Sequence, residues 1–320
     1  MKNGIEALSD LNWAYRAARV LHTANRLNIF TILAEKPLSV EQISASCHTR
    51  PEMTEKLLIA CTAMGLLEKD GYKYKNTDLA QTYLVEGQKL YQGDIIAHSA
   101  SVWNFWDRLA DEISIQSPPR NVKPDEHRNF IMGMHNIALA GRVQLFLDAV
   151  DLSGRKKLFD AGGGPATYSI EACRRYSQLT AVIFDLPETI AITKEMIAKE
   201  SMQDRIIVRQ GSWDTDSFGE NNDVVLLSEV MHGIGSQAEM KLNKAYDSMV
   251  EGGLLVIQEF LLNDEKTGPL TPALFNIMVG VYSKTELFTL VKEAGFADPE
   301  LVAGDEKMGS SWVTAKKIAT

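Results

Sequence analysis

The sequence has few cysteines, no long apolar run and no excess of positive charge. Its three cysteines, Cys47, Cys61 and Cys173, are widely separated and form no C-x-x-C pair, so neither a disulfide framework nor a zinc site is indicated. No apolar run approaches the roughly 20 residues of a membrane span, and residues 1–6 contain no apolar leader segment. We therefore expect a soluble cytoplasmic protein with reduced thiols, no metal and no membrane partner.

The charge balance also excludes a class of partners. The chain carries 33 Lys and Arg residues against 42 Asp and Glu residues, a formal net charge of −9. Nucleic acids and anionic membranes call for basic patches, so neither is expected as a partner. The length of 320 residues favours two domains, because single cores rarely grow beyond about 250–300 residues.

The N-terminal third has the pattern of a winged helix. Helical periodicity over 10–35 is followed by a capping box at 39–42, an amphipathic helix at 52–64 and a β-hairpin on an Asp70-Gly71 turn. The segment from Pro37 to Glu86 contains seven acidic and five basic residues. This favours a dimerisation role over the alternative, a ligand-responsive DNA-binding regulator.

Two further apolar helices follow, near 90–112 and 130–150, separated by a polar loop at 117–124. Met132 and His135 lie where a substrate lid could join the second domain, and Phe275 and Met278 belong to a second apolar stretch. We predict that these four residues contact a substrate. The predicted domains are 1–112, a linker and connecting helix at 113–150, and 151–320.

From residue 157 onward, strand and helix patterns alternate. Strands are predicted at 157–160, 180–185, 206–210, 223–228 and 254–260, and helices near 166–176, 188–200, 237–250 and 284–294. This alternation predicts an α/β domain with a parallel sheet covered by helices on both faces. Ligands bind at the carboxyl ends of such strands, so the chemistry is expected there.

The first strand ends in a glycine turn that does not suit a dinucleotide. Thr167 follows Gly162 and Gly164 where the G-x-G-x-x-G fingerprint requires a third glycine, and Asp160 would repel a pyrophosphate. An oxidoreductase is therefore disfavoured. S-Adenosylmethionine, which has an amino group and no phosphate, fits better. Asp185, at the next strand end, either accepts the ribose hydroxyls or only caps the following helix.

Later strand ends carry candidates for catalysis. His232 follows the fourth strand and could act as a general base near neutral pH, unless it is a surface or capping histidine. Glu259 ends the fifth strand, where it either orients His232 or is simply a solvated acid. Trp213 could lie against adenine or belong to the core.

Four motifs together resemble the S-adenosylmethionine-dependent O-methyltransferases of the caffeate and acetylserotonin type: FDAGGGP at 159–165, FDLP at 184–187, Met231-His232 and Gln258-Glu259. The resemblance implies a Rossmann-like methyltransferase domain with a mostly parallel sheet, preceded by a helical, winged-helix dimerisation domain. It implies a homodimer and a catalytic pair, His232 and Glu259. The implied cofactor contacts are Asp160, Gly162, Gly164, Asp185, Leu186, Ser212, Trp213 and Ser228.

Four positions depart from the family pattern. Ser212 replaces an acid that reaches adenine, Gly233 follows the histidine in place of Asp, Ser228 stands where plant members have lysine, and Val281 replaces a second glutamate. These departures argue against copying a plant phenol as the substrate. The Phe, Trp and Met content of 102–146 and 274–282 favours an apolar pocket, so we predict methyl transfer to a hydroxyl, phenolic in kind, on a small apolar molecule. The alternative within the family is a cofactor-binding relative that has lost methyl transfer.

Overall fold

The computed structural model describes residues 5–113, 124–232, 236–264, 269, 272, 275–276, 279–305 and 310–318. The chain folds as two units, Met1–Ile137 and Ala138–Thr320. The narrower domain limits expected from the sequence, at 112 and 150, stay predictions.

The first unit combines short helices with a small antiparallel sheet. Its helices are α1 (Ile5–Arg26), α2 (Ile29–Ile32), α3 (Val40–Cys47), α4 (Pro51–Ala63), α5 (Asp78–Tyr83), α6 (Gly93–Ser101), α7 (Trp103–Asp107), α8 (Leu109–Ile113) and α9 (Pro124–Ile137). Its strands are β1 (Leu38–Ser39), β2 (Leu67–Asp70) and β3 (Lys73–Asn76), in the order β1-β3-β2. The predicted capping box is present, because Ser39 and Gln42 bond reciprocally at the start of α3.

The long helix predicted over 130–150 is interrupted. It begins at Pro124, passes through a π-helical turn at Ala138–Arg142 and continues as α10 (Val143–Ala149). Gly141 has a φ of 143°, which breaks the helical path and is readily adopted only by glycine. By length and composition alone, the stretch Glu126–Ala149 could cross a membrane, but Val143 and Phe146 within it are buried in the second unit.

The second unit alternates strands and helices as the sequence predicts. Its further helices are α11 (Thr167–Arg175), α12 (Pro187–Lys199), α13 (Ala238–Ser248) and α14 (Lys284–Glu293). Its strands are β4 (Lys157–Ala161), β5 (Thr180–Asp185), β6 (Ile206–Gln210), β7 (Asn222–Ser228), β8 (Met249–Glu259), β9 (Phe296–Asp305) and β10 (Ser310–Lys317).

These seven strands form one sheet in the order β6-β5-β4-β7-β8-β10-β9. Strands β4 to β8 pair in parallel, and β10 and β9 add antiparallel. Alternate side chains point to opposite faces of the strands, so Phe159 and Val225 join one buried cluster while Leu158 and Val224 join another. The mostly parallel α/β fold is confirmed, and its parallel strands end at one common edge.

Candidate active site

The glycine turn joins β4 to α11 with an unusual backbone. Gly162 and Gly164 have φ values of 74° and 51°, in the left-handed region that favours glycine. A Cβ on Gly162 would lie 2.7 Å from Cγ1 of Val230 and 3.2 Å from Cζ3 of Trp213, whereas a Cβ on Gly164 would meet nothing within 4 Å. The backbone at Gly162 is therefore closely covered, while Gly164 faces open space.

Asp185 holds this turn from the tip of β5. Its Oδ2 accepts a hydrogen bond of 2.8 Å from the amide of Gly164, and its Oδ1 accepts one of 2.7 Å from the amide of Leu186. These two bonds fix the direction of the carboxylate at the tip of β5. Leu186, the next residue, is 41% exposed.

Asp160 lies beneath the turn rather than at its surface. It is 2% exposed, and its Oδ2 accepts a 2.7 Å hydrogen bond from Oγ of Ser169. A Cβ on Gly163 would come within 2.8 Å of its Cγ. Burial raises the pKa of Asp160 to about 7; the bond from Ser169 opposes this rise and the charge of Asp185 adds to it. Its proposed contact with a cofactor stays a prediction.

Ser212 and Trp213 follow β6, and the Trp213 ring reaches the glycine turn beside Val230. The amide of Ser212 donates a 2.9 Å hydrogen bond to Oδ2 of Asp216, which fixes the loop. Trp213 is partly buried, close to Gly162, and the ammonium of Lys241 lies 3.9 Å from its ring centroid. The indole is thus held rigidly at the rim of the sheet.

His232 and Glu259 are in direct contact. Nδ1 of His232 and Oε2 of Glu259 are 2.8 Å apart, and Oε1 of Glu259 accepts a 2.8 Å hydrogen bond from the amide of Met231. The Glu259 side chain is 1% exposed and that of His232 is 20% exposed. An imidazole that donates from Nδ1 to a carboxylate keeps Nε2 as an acceptor, which is the form a general base requires.

Charged neighbours raise the pKa of His232 above its ordinary value. Burial alone would lower it, but the hydrogen bond and charge of Glu259 and the charge of Glu229 outweigh burial, while Lys241 opposes them. The base is therefore charged over a wider pH range than a free histidine.

Ser228, predicted to contact the cofactor, belongs to a chain of hydrogen bonds across the sheet. Its Oγ donates to Oε1 of Gln258 at 2.6 Å, and Nε2 of Gln258 donates to Oγ of Ser310 at 2.8 Å. This chain ties the end of β7 to β8 and β10.

The predicted substrate residues fall in different places. Phe275 stacks on Phe260 with ring centroids 4.3 Å apart, and the Phe260 ring lies 6.0 Å from the His232 ring. Met132 and His135 lie on α9 in the first unit, so their contact with substrate stays a prediction. Met278 and Gly233 lie outside the described residues.

Two buried features were missed from the sequence. Lys241, 2% exposed, donates from Nζ to the carbonyl of Val230 at 2.6 Å. The sequence could have indicated this burial, because the helical spacing of Lys241 from Ala238, Leu242 and Ala245 puts it on the apolar face of α13. Arg142 and Glu229, 87 positions apart, form an ion pair with side chains 6% and 13% exposed. No spacing pattern in the sequence predicts that these two residues meet.

Comparison with known proteins identifies the family. A family model described as an O-methyltransferase domain matches residues 119–297, more than half of the chain. The chain belongs to the O-methyltransferase family. An O-methyltransferase dimerisation domain matches residues 10–86 as well. The resemblance is confirmed, and the protein is an S-adenosylmethionine-dependent O-methyltransferase.

Individual relatives match over nearly the whole chain. A 3-hydroxy-5-methyl-1-naphthoate 3-O-methyltransferase of Streptomyces sahachiroi is 30% identical over 313 residues, covering 92% of this chain and 90% of the relative. Acetylserotonin O-methyltransferase of Bos taurus is 28% identical, covering 92% and 93%. The crystal structure of the human N-acetylserotonin enzyme in complex with S-adenosylmethionine superposes with a TM-score of 0.89 at 24% identity, covering 100% and 99% of the chains, and shows the shared fold.

Proposed function

We propose that this enzyme methylates a phenolic hydroxyl on a small, largely apolar molecule and that His232 is its general base. The hydrogen bond between Nδ1 of His232 and Glu259 carries this proposal. It places an oriented imidazole at the edge where the parallel strands end, which is where ligands bind in such sheets.

The residues present fit S-adenosylmethionine. The loops after the neighbouring strands β6, β5 and β4 offer an indole for adenine (Trp213, whose ring reaches Gly162), a carboxylate for ribose (Asp185) and a turn with open space in front of Gly164. Ser212, Leu186 and Ser228 complete the proposed cofactor contacts at the same edge. When bound, the cofactor supplies a methyl group on a sulfonium, ready for direct displacement.

The protein's part in the reaction is to orient the acceptor and to move one proton. Nε2 of His232 takes the proton of the acceptor hydroxyl, and Glu259 stabilises the imidazolium that results. With the cofactor bound, the acceptor oxygen would gain the methyl group that its sulfur gives up. The proton then leaves His232 for solvent.

An apolar acceptor is supported by the side chains next to the base. Phe260 and Phe275 stack, and together with Leu262, Val279 and Val281 they form a separate apolar cluster. Val281, where the family pattern has a glutamate, is 9% exposed in this cluster. Flat aromatic acceptors pack well on such rings, so a phenol fits better than a sugar hydroxyl.

The first unit is proposed to form a homodimer. The match to the O-methyltransferase dimerisation domain supports this, as do exposed apolar side chains on α1, the hairpin and α4, including Leu11, Tyr72 and Ile59. The winged-helix description and a cytoplasmic location likewise remain proposals.

Calorimetric titration with S-adenosylmethionine, S-adenosylhomocysteine and NADH tests the cofactor site. We expect saturable binding of the two sulfur compounds and none of NADH. Failure of both sulfur compounds to bind would mean that Ser212 and the other departures have dismantled the adenosine site, and binding of NADH would reopen the oxidoreductase alternative.

The two glycines with left-handed backbone allow a paired test of the cradle. Alanine at either position costs about 1–2 kcal/mol of backbone strain. Gly162→Ala should lose more stability, because its methyl collides with Val230 and Trp213. Gly164→Ala should weaken S-adenosylhomocysteine binding instead, because its methyl enters the open space. Thermal unfolding and calorimetry separate the two; equal ligand affinity in Gly164→Ala and wild type would contradict this placement.

A further inference from the structure

A buried pair of charges lies beside the proposed site and takes no part in proton transfer. Arg142, from the π-helical turn, donates from Nη1 to Oε1 of Glu229, which directly follows β7. Glu229 has a φ of 53°, a left-handed conformation that is uncommon outside glycine. Burying an ion pair is costly, and strained backbone tends to cluster at functional sites, so the pair calls for an explanation.

The neighbours of this pair place it next to the glycine turn. Tyr168, in the first turn of α11, is close enough to the pair for both charges to act on its pKa: beside the larger rise caused by burial, Arg142 lowers this pKa and Glu229 raises it. The amide of Glu229 donates a 2.8 Å hydrogen bond to the carbonyl of Gln258. Val230, the residue after Glu229, covers Gly162. Glu229 is therefore the immediate neighbour in sequence of Val230, the residue that packs most closely on Gly162.

The strand order shows which part of the cofactor reaches this place. Adenine is assigned to the tip of β6 and ribose to Asp185 at the tip of β5. Along the sheet, β4 and then β7 come next. A ligand that runs on in the same direction brings its remaining part, the sulfonium with its α-ammonium and α-carboxylate, over the glycine turn to the start of the β7 loop.

We propose that Glu229, held by Arg142, is the acceptor for the α-ammonium of S-adenosylmethionine. This rests on the proposed function. A carboxylate and an ammonium form the stronger, charge-assisted class of hydrogen bond, and Glu229 keeps acceptor positions beyond its bond to Arg142. The ammonium then fixes the sulfonium, and with it the methyl group, near His232 on the same loop.

Asp160 is the competing carboxylate. It lies below the backbone of Gly163 and is 2% exposed, whereas the Glu229 side chain is 13% exposed at the edge of the sheet. Its Oδ2 is taken by Ser169, inside the domain. Its Oδ1, however, has no hydrogen-bond partner among the described residues, so Asp160 is the rival acceptor that the test must separate from Glu229.

The test is a cycle that combines one change in the protein with one change in the ligand. Calorimetry compares S-adenosylhomocysteine with its des-amino analogue, which keeps the carboxylate and lacks the ammonium. Wild-type protein should bind the analogue about 10- to 100-fold more weakly. In Glu229→Gln, the two ligands should bind within about twofold of each other. Asp160→Asn, at the competing carboxylate, and Glu251→Gln, an exposed carboxylate at the opposite end of β8 from Glu259, should keep the wild-type ratio.

Each result decides the matter. Equal affinities for the two ligands in wild-type protein would overturn the inference without any variant, so it does not depend on Glu229→Gln folding. If the difference in affinity between the two ligands is retained in Glu229→Gln but lost in Asp160→Asn, Asp160 is the acceptor for the ammonium. That result would also overturn the inference. Wild-type protein that binds neither ligand would refute the proposed function itself, and this subsite with it.

Discussion

Replacing His232 by asparagine should lower turnover by about 10²–10⁴-fold, the range that a positioned general base supplies. Asparagine keeps an N–H that can donate to Glu259, so the loop should stay in place. It lacks the Nε2 acceptor, and the acceptor hydroxyl must then lose its proton to water.

Two measurements separate this catalytic loss from damage to the site. Calorimetry should show nearly unchanged affinity for S-adenosylhomocysteine in His232→Asn, because its cofactor contacts are intact. His48→Asn, a change at the exposed left-handed end of α3, should keep wild-type turnover. A rate for His232→Asn within a few-fold of wild type would show that His232 is not the base.

Glu259→Gln should lower the plateau rate by about 10- to 100-fold and also change the pH dependence. In wild type, Glu259 accepts from both the His232 ring and the amide of Met231. A single amide oxygen cannot replace both carboxylate oxygens. The imidazolium that forms during transfer also loses its stabilising charge.

The direction of the pH effect follows from the charges around His232. The base works only when neutral, so the rate rises as pH increases through the pKa of His232, which its charged neighbours raise above its ordinary value. Removing the charge of Glu259 lowers that pKa, so the rising limb moves to lower pH. Lys241→Met should move the limb the opposite way, because Lys241 lowers the pKa of His232.

Initial rates from pH 5 to 9 at saturating cofactor give these limbs directly. Glu229, Glu259 and Lys241 all act on His232 from different elements, so the two variants must shift in opposite senses. A limb that stays fixed in both variants would mean that another group limits the rate at low pH.

The parallel core of the fold was predictable because its strands carry strong local signals. Strands β4 to β8 are short apolar runs bounded by turn residues, and all five were predicted. Strands β9 and β10 were not predicted. In β9, Pro299 interrupts the strand and the acidic residues obscure the alternation of apolar and polar residues. Proline is tolerated there because β9 is at the edge of the sheet.

Helix continuity was less predictable. The stretch predicted as one helix over 90–112 is divided into α6, α7 and α8, and the long helix that follows contains a π-helical turn. Gly141 was a visible signal for that break.

The candidate site was predictable to the extent that strand topology gathers it. Residues at the tips of parallel strands converge regardless of their separation in sequence, which brings His232 to Glu259 as expected. Side-chain direction was not fixed by this reasoning. The carboxylate of Asp160, a predicted cofactor contact, is buried beneath the turn, which the sequence pattern did not indicate.

Transfer of a labelled methyl group from S-adenosylmethionine tests the central claim most directly. The acceptors would be a small apolar phenol, its methyl ether, and the matching aniline and thiophenol. We expect label only on the phenol oxygen, at a rate that falls by about 10²–10⁴-fold in His232→Asn. Label on carbon, nitrogen or sulfur, equal labelling of the ether, or no transfer to any acceptor despite tight cofactor binding would contradict it.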